Sequence, residues 1–154
     1  MLAAALALQL ATVLVFTTTD CPISNRYAPE IQRLSAAFSR DFKFVFVYPV
    51  PADSEEKIRE HRKKFGGGEW LRDPDQQLVK FTGATVTPEV AIVTTDKTIL
   101  YRGRIDDRYI AFGKDRPQPT VRDLERALAA IVAGKPVPVA QTPAIGCFIS
   151  ELVK

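Results

Sequence analysis

Residues 11–17, ATVLVFT, form an unbroken β-branched and apolar run. That is the pattern of a buried strand. Beyond TTDCPIS, Tyr27, Ile31, Leu34 and Phe38 recur at helical spacing. They predict a long helix with one apolar stripe. Pro22 suits its first position, where a missing N–H costs nothing, and this makes Cys21 the expected N-cap. Residues 41–50, DFKFVFVYPV, alternate and then turn apolar, as a second strand would. Residues 54–68 read as a polar helix stopped by three glycines. Residues 69–84 read as a short strand, a turn at Asp73–Pro74–Asp75 and a short helix ending at Gly83. EVAIVTT (89–95) and TILYRGRI (98–105) flank Asp96–Lys97 and predict a hairpin. A charged loop (106–119) follows. A helix over 120–134 has Thr120 as its cap, Val121, Leu124, Leu128 and Ile131 on one face, and Gly134 at its end.

The order of elements implies an α/β fold: a mixed central sheet with helices on both faces and an extended C-terminal tail. The chain divides into an apolar N-terminal segment (1–10), one domain (11–134) and a tail (135–154) that carries Cys147. The tail holds Val137, Val139, Ile145, Phe148, Ile149, Leu152 and Val153. These are too many apolar groups to leave in water, so it must pack on something.

Charge narrows the function classes. The net charge is only +3. The most basic stretch, Arg59 to Lys64, shares its helix with Glu55, Glu56 and Glu60, which describes a solvated face and not a nucleic-acid footprint. The two cysteines, Cys21 and Cys147, make no disulfide framework and no zinc spacing. His61 is the only histidine and is expected at the surface, so neither a metal site nor a Ser–His–Asp triad is expected. No cofactor is expected. Residues 1–16 are uncharged, too short for a comfortable membrane span, and lack a basic leader region. Two readings stay open for their first part: a signal remnant ending near Ala11, or a short helix over 2–10 packed on the domain. The compartment stays open with them, as does the oligomeric state.

The candidate chemistry lies at Cys21. A strand–Cys–Pro–helix junction puts its sulfur beside free backbone N–H groups that favour the thiolate. An ordinary thiol of pKa about 8.5 is about 3% ionised at pH 7, and lowering the pKa to about 7 raises this to half. Asp20 opposes the effect. The other reading is a buried, inert cysteine.

CPISNRYAP resembles the active-site helix of thioredoxins, which carry C-x-x-C followed three residues later by Ala-Pro. Cys21, Ser24, Ala28 and Pro29 occupy those places. ATVTPEVAIV supplies Thr87–Pro88 where thioredoxin-like proteins have a cis-proline facing the reactive cysteine. The resemblance covers roughly residues 11–133. Thr18, three residues before Cys21, with Pro22 after it, also matches the T-x-x-C-P of peroxiredoxins, although Leu14 stands where their fuller motif has proline. TDCPISNRYAPE, YRGRIDDRY and the terminal GC-x-I look like a bacterial redoxin subgroup, often exported, within the alkyl hydroperoxide reductase/thiol-specific antioxidant group.

The resemblance implies a thioredoxin fold and a thiol oxidoreductase acting through Cys21. It leaves three functions open: thiol–disulfide exchange, a peroxidase oxidising Cys21 to sulfenic acid, or a non-enzymatic binding module. Its partners would be a protein or small-molecule disulfide or thiol, a peroxide under the second reading, and an external thiol reductant. Ser24 cannot resolve a mixed disulfide. Two readings stay open: Cys147, the only candidate in this chain, resolves it, or an outside thiol does and Cys147 is a small apolar residue pinning the tail. The strand ending at Ile105 must finish beside the cysteine, so Arg104, Asp106, Asp107, Arg108 and Tyr109 are expected to ring the site, either as functional groups or as a solvated charged loop with internal ion pairs. Arg104 would stabilise a thiolate, and under the peroxidase reading it and Thr18 would position the peroxide.

Overall fold

A computed structural model describes residues 9–150. The two readings of the N-terminal segment therefore fall largely outside the described residues, as do Leu152 and Val153. Five strands form the central sheet: β1 (Ala11–Phe16), β2 (Phe42–Tyr48), β3 (Glu69–Arg72), and two further strands, Glu89–Val93 and Ile99–Gly103, which become β5 and β6 below. β1 runs parallel to β2, and β2 parallel to β3; the last two strands are antiparallel.

β1 lies at the centre, and this explains its unbroken apolar run. Val13 and Val15 face one layer of the core, while Leu14 and Phe16 face the other. The first layer is closed by α2 (Ala28–Phe38), through Ile31 and Leu34, and by a C-terminal helix (Asp123–Val132), through Leu124, Ala127 and Leu128. The second is closed by α4 (Gln77–Thr82) and by Ala84 and Ile149. α1 is Pro22–Arg26 and α3 is Glu55–Lys64. The strand over Val86–Thr87 is β4, which makes the hairpin strands β5 and β6; β7 is Tyr109–Ala111, β8 Lys114–Asp115, the C-terminal helix α5, and β9 Cys147–Phe148.

Several boundaries differ from the pattern-based expectation. The first long helix is two helices meeting at Tyr27. Pro29 has no N–H for the Asn25 carbonyl, and its ring crowds that oxygen, so the helix breaks there. The charged loop contains the small β7–β8 ladder. Thr120 does not cap α5; its N-cap is Arg122. The Thr120 hydroxyl and amide are both spent on Asp107.

The tail is extended and docked at two places. At the β6 edge the Arg102 amide donates to the Ala140 carbonyl (3.0 Å), and the Thr142 amide to the Arg102 carbonyl (3.1 Å). Further on, β9 pairs antiparallel with β4, setting Cys147 opposite Thr87 and Phe148 opposite Val86.

Candidate functional site

β1 delivers the chain to the site. Its end is fixed by the Thr17 amide on the Val47 carbonyl (2.9 Å). The buried carboxylate of Asp53 then gathers the next turn. It accepts the Thr18 hydroxyl (2.7 Å), the Thr19 amide (3.2 Å) and the Thr19 hydroxyl (2.5 Å). Cys21 follows in extended conformation and caps α1 with its sulfur, which accepts the Ser24 amide at 3.4 Å. Its own S–H donates to the Thr87 carbonyl at 3.2 Å, and the residue is only 1% exposed. The Thr87–Pro88 peptide bond is cis.

Cys147 meets Cys21 across this point. Both cysteines are free thiols. Burial pushes the Cys21 thiol up, but the neighbouring Cys147 thiol, the Ser24 side chain and amide and the Thr87 side chain favour the charged sulfur and hold the thiol below its ordinary value. Burial pushes the Cys147 thiol up to about 12, and its proximity to Cys21 pushes the same way; the Ile23 amide works against both. The two thiols are therefore shifted in opposite directions, Cys21 below its ordinary value and Cys147 above.

The remaining sequence-flagged groups are placed as follows. Thr18 is beside the site, but its proton goes to Asp53. Arg104 is paired with Asp123 (Nε–Oδ2 2.7 Å). With Tyr27, Pro88, Asp106, Tyr109 and Ile145 it lines a water-sized cavity of about 10 Å³. Asp106 is buried there, accepting the Tyr27 hydroxyl (2.6 Å) and the Arg108 amide (2.9 Å). Burial raises the Asp106 carboxyl above its usual range despite these bonds. Asp107 turns away to organise residues 120–121 ahead of α5.

His61 was expected at the surface and is buried instead. The Arg62 Nε–H donates to the Tyr48 hydroxyl oxygen (2.8 Å). The Tyr48 proton is then left for His61 Nδ1 (2.7 Å), so Nε2 carries the hydrogen donated to Asn25 Oδ1 (2.6 Å). Burial first, and the Arg62 charge second, lower the His61 pKa to about 4, which keeps it neutral. The chain of bonds ties α1 to β2 and α3. Period alone could not reveal it, because a polar helix looks solvated until partners for its polar groups appear in space.

The fold is the thioredoxin fold. No family model and no curated protein sequence matches the chain. Among solved structures, an uncharacterized conserved protein from Geobacillus kaustophilus is 28% identical with TM-score 0.82, over 97% of this chain and 81% of that one. A hypothetical protein from Sinorhizobium meliloti is 26% identical with TM-score 0.77, over 92% and 79%. A secreted Mycobacterium tuberculosis disulfide oxidoreductase homologous to E. coli DsbE is 21% identical with TM-score 0.54, over 80% and 84%. Among the described residues, no helix is long and apolar enough to cross a membrane.

Proposed function

We propose that this protein is a redoxin-type thiol–disulfide oxidoreductase in which Cys21 attacks and Cys147 resolves. The observation that carries the reading is the pairing of β9 with β4, which sets Cys147 opposite the residue whose carbonyl holds the Cys21 S–H. The Cys21 thiolate attacks one sulfur of a substrate disulfide, forming a mixed disulfide and releasing the other sulfur as a thiolate. Cys147 gives up its proton, attacks the Cys21 sulfur and releases the second substrate thiol. The substrate is reduced by two electrons, and Cys21–Cys147 is left as a disulfide. An external dithiol then restores both thiols. Burial is the main cause of the high Cys147 pKa, with the Cys21 sulfur second, so Cys147 becomes a nucleophile once β9 lifts into solvent and Cys21 is tied up in the mixed disulfide.

Cys21 is sealed, so a disulfide reaches it only after β9 leaves β4. Exchange is favoured over peroxide reduction because Thr18 and Arg104, the groups expected to position a peroxide, are committed to Asp53 and Asp123. The likeness to a secreted disulfide oxidoreductase supports the same chemistry and work outside the cytoplasm.

The test is non-reducing peptide mapping after one equivalent of peroxide or diamide. The expected product is an intrachain Cys21–Cys147 link, and Cys147→Ser incubated with a model disulfide should stall as a mixed disulfide between Cys21 and one half of that reagent, the other half leaving as thiol. Recovery of Cys21 only as sulfenic acid, or only in intermolecular dimers, sinks the reading.

A further inference from the structure

Among the described residues, three buried side-chain polar atoms have no hydrogen-bond partner: Ser24 Oγ, Thr87 Oγ1 and Arg108 Nε. Two of the three stand at the same sulfur. Ser24 and Thr87 are 8% and 1% exposed, so solvent does not satisfy them. A buried hydroxyl without a partner is costly and rare, and two flanking one reactive atom call for an explanation.

The protonation state of Cys21 supplies one. As a thiol, Cys21 uses its proton on the Thr87 carbonyl, and its sulfur is a weak acceptor already taking the Ser24 amide. The neighbouring hydroxyls then have little to donate to. When the proton leaves, the sulfur becomes a charged acceptor in a site closed to water. Both residues already touch that sulfur through their backbones, Ser24 by its amide at 3.4 Å and Thr87 by its carbonyl at 3.2 Å, which sets their hydroxyls beside it. Their unmet bonds are made in the ionised state and not in the neutral one, and a bond made only to the charged form favours that form.

We infer that the Ser24 and Thr87 hydroxyls are donors reserved for the Cys21 thiolate, so that serine in the fourth position of Cys-Pro-Ile-Ser is a catalytic residue and not merely the loss of a resolving thiol. The inference rests on the reading of Cys21 as the nucleophile. It assigns the two halves of a dithiol site to separate places: resolution to the tail, and charge stabilisation to position 24. The Ser24 amide and hydroxyl, the Thr87 hydroxyl and the Cys147 thiol would together surround the sulfur. During exchange the same hydroxyls serve Cys21 again when it departs as the leaving thiolate during regeneration.

The experiment follows the ultraviolet thiolate absorbance of the full-length reduced protein against pH, with Cys21 identified by mass spectrometry after alkylation. Ser24→Ala and Thr87→Val should each move the Cys21 midpoint upward by about one pH unit, a roughly tenfold loss of thiolate below the midpoint. Thr87→Ser, which keeps the hydroxyl and drops the methyl, should retain the parent midpoint. A purely structural role for these side chains would alter melting temperature and leave the midpoint in place. If Thr87→Val does not fold, Ser24→Ala decides alone. An unchanged midpoint in folded Ser24→Ala overturns the inference while leaving Cys21 the nucleophile. A parent protein whose Cys21 ionises only at the ordinary thiol pH overturns the functional reading beneath it.

Discussion

The two cysteines sit on supports of opposite character. Cys21 stands between a loop held three times by Asp53 and a helix tied through Asn25 to His61, Tyr48 and Arg62. Its surroundings are core. Cys147 stands on a two-residue strand. Around that strand the tail is held by the Ile149 amide on the Thr85 carbonyl (3.0 Å) and by Gln76 Nε2 on the Ser150 carbonyl (2.6 Å). Phe148, beside Cys147, is 86% exposed. Elements with few buried contacts open at lower free energy than the core. Under the proposed function the contrast fits a division of labour: a nucleophile needs fixed donors, whereas a resolving thiol must leave to admit a substrate and return to release it.

The largest expected effect tests the fixed side. Cys21→Ser should lower disulfide reduction by about three orders of magnitude or more, measured as turnover with a model disulfide. Retained turnover would transfer the chemistry to Cys147.

Next comes the anchor of α1. In the folded protein His61 stays neutral down to about pH 4, but in the unfolded chain it binds a proton near pH 6.5. As pH falls from about 6.5 to about 4, the unfolded state takes up a proton that the folded state refuses. Stability is therefore lost across that window, by up to ~3 kcal/mol. Urea unfolding of the parent against His61→Gln as pH is lowered should show this loss in the parent alone. Parallel curves would mean that His61 titrates alike in both states.

The movable side is tested by Gly146→Ala. A Cβ there would run into the Thr87 carbonyl and the Pro88 nitrogen, backbone atoms that cannot turn aside. Overpacking of this kind costs roughly 1–3 kcal/mol, so the strap should open and Cys21 should react about tenfold faster with a bulky maleimide. An unchanged rate would show that β9 does not gate the sulfur.

The smallest effect is expected from Gln76→Ala. It removes one neutral hydrogen bond from the far end of the tail, worth about 1 kcal/mol or less. Maleimide labelling of Cys21 should rise only about two- to fivefold, with the Cys21 midpoint unmoved. A moved midpoint would mean that the strap and the thiolate site are not separable.

Much of this molecule is written in local pattern. The apolar run at 11–17 needed burial on both sides, and a central strand is where a sheet offers that. Pro22 after Cys21 required a helix start, because proline's missing N–H is harmless only there. Polar groups were less legible, because their state depends on partners that are distant in sequence. His61 and Arg62 look solvated on a helix full of charge, yet Tyr48 and Asn25 satisfy them in the interior. Arg104 was expected to face the thiolate, but only the packing of α5 supplies Asp123, which takes it up.

The sequence alone determined the sheet order's ingredients, the nucleophile candidate and the need for the tail to dock, because burial, backbone period and proline geometry act over a few residues. Only the tertiary structure decided where the tail docks. Pairing β9 with β4 depends on an open strand edge at Val86–Thr87 and on a residue without a side chain at Gly146, and these lie about sixty residues apart in the chain. Nothing local to Cys147 records that it will lie against Cys21; the contact is made by backbone hydrogen bonds, which any residue can form and no single residue announces.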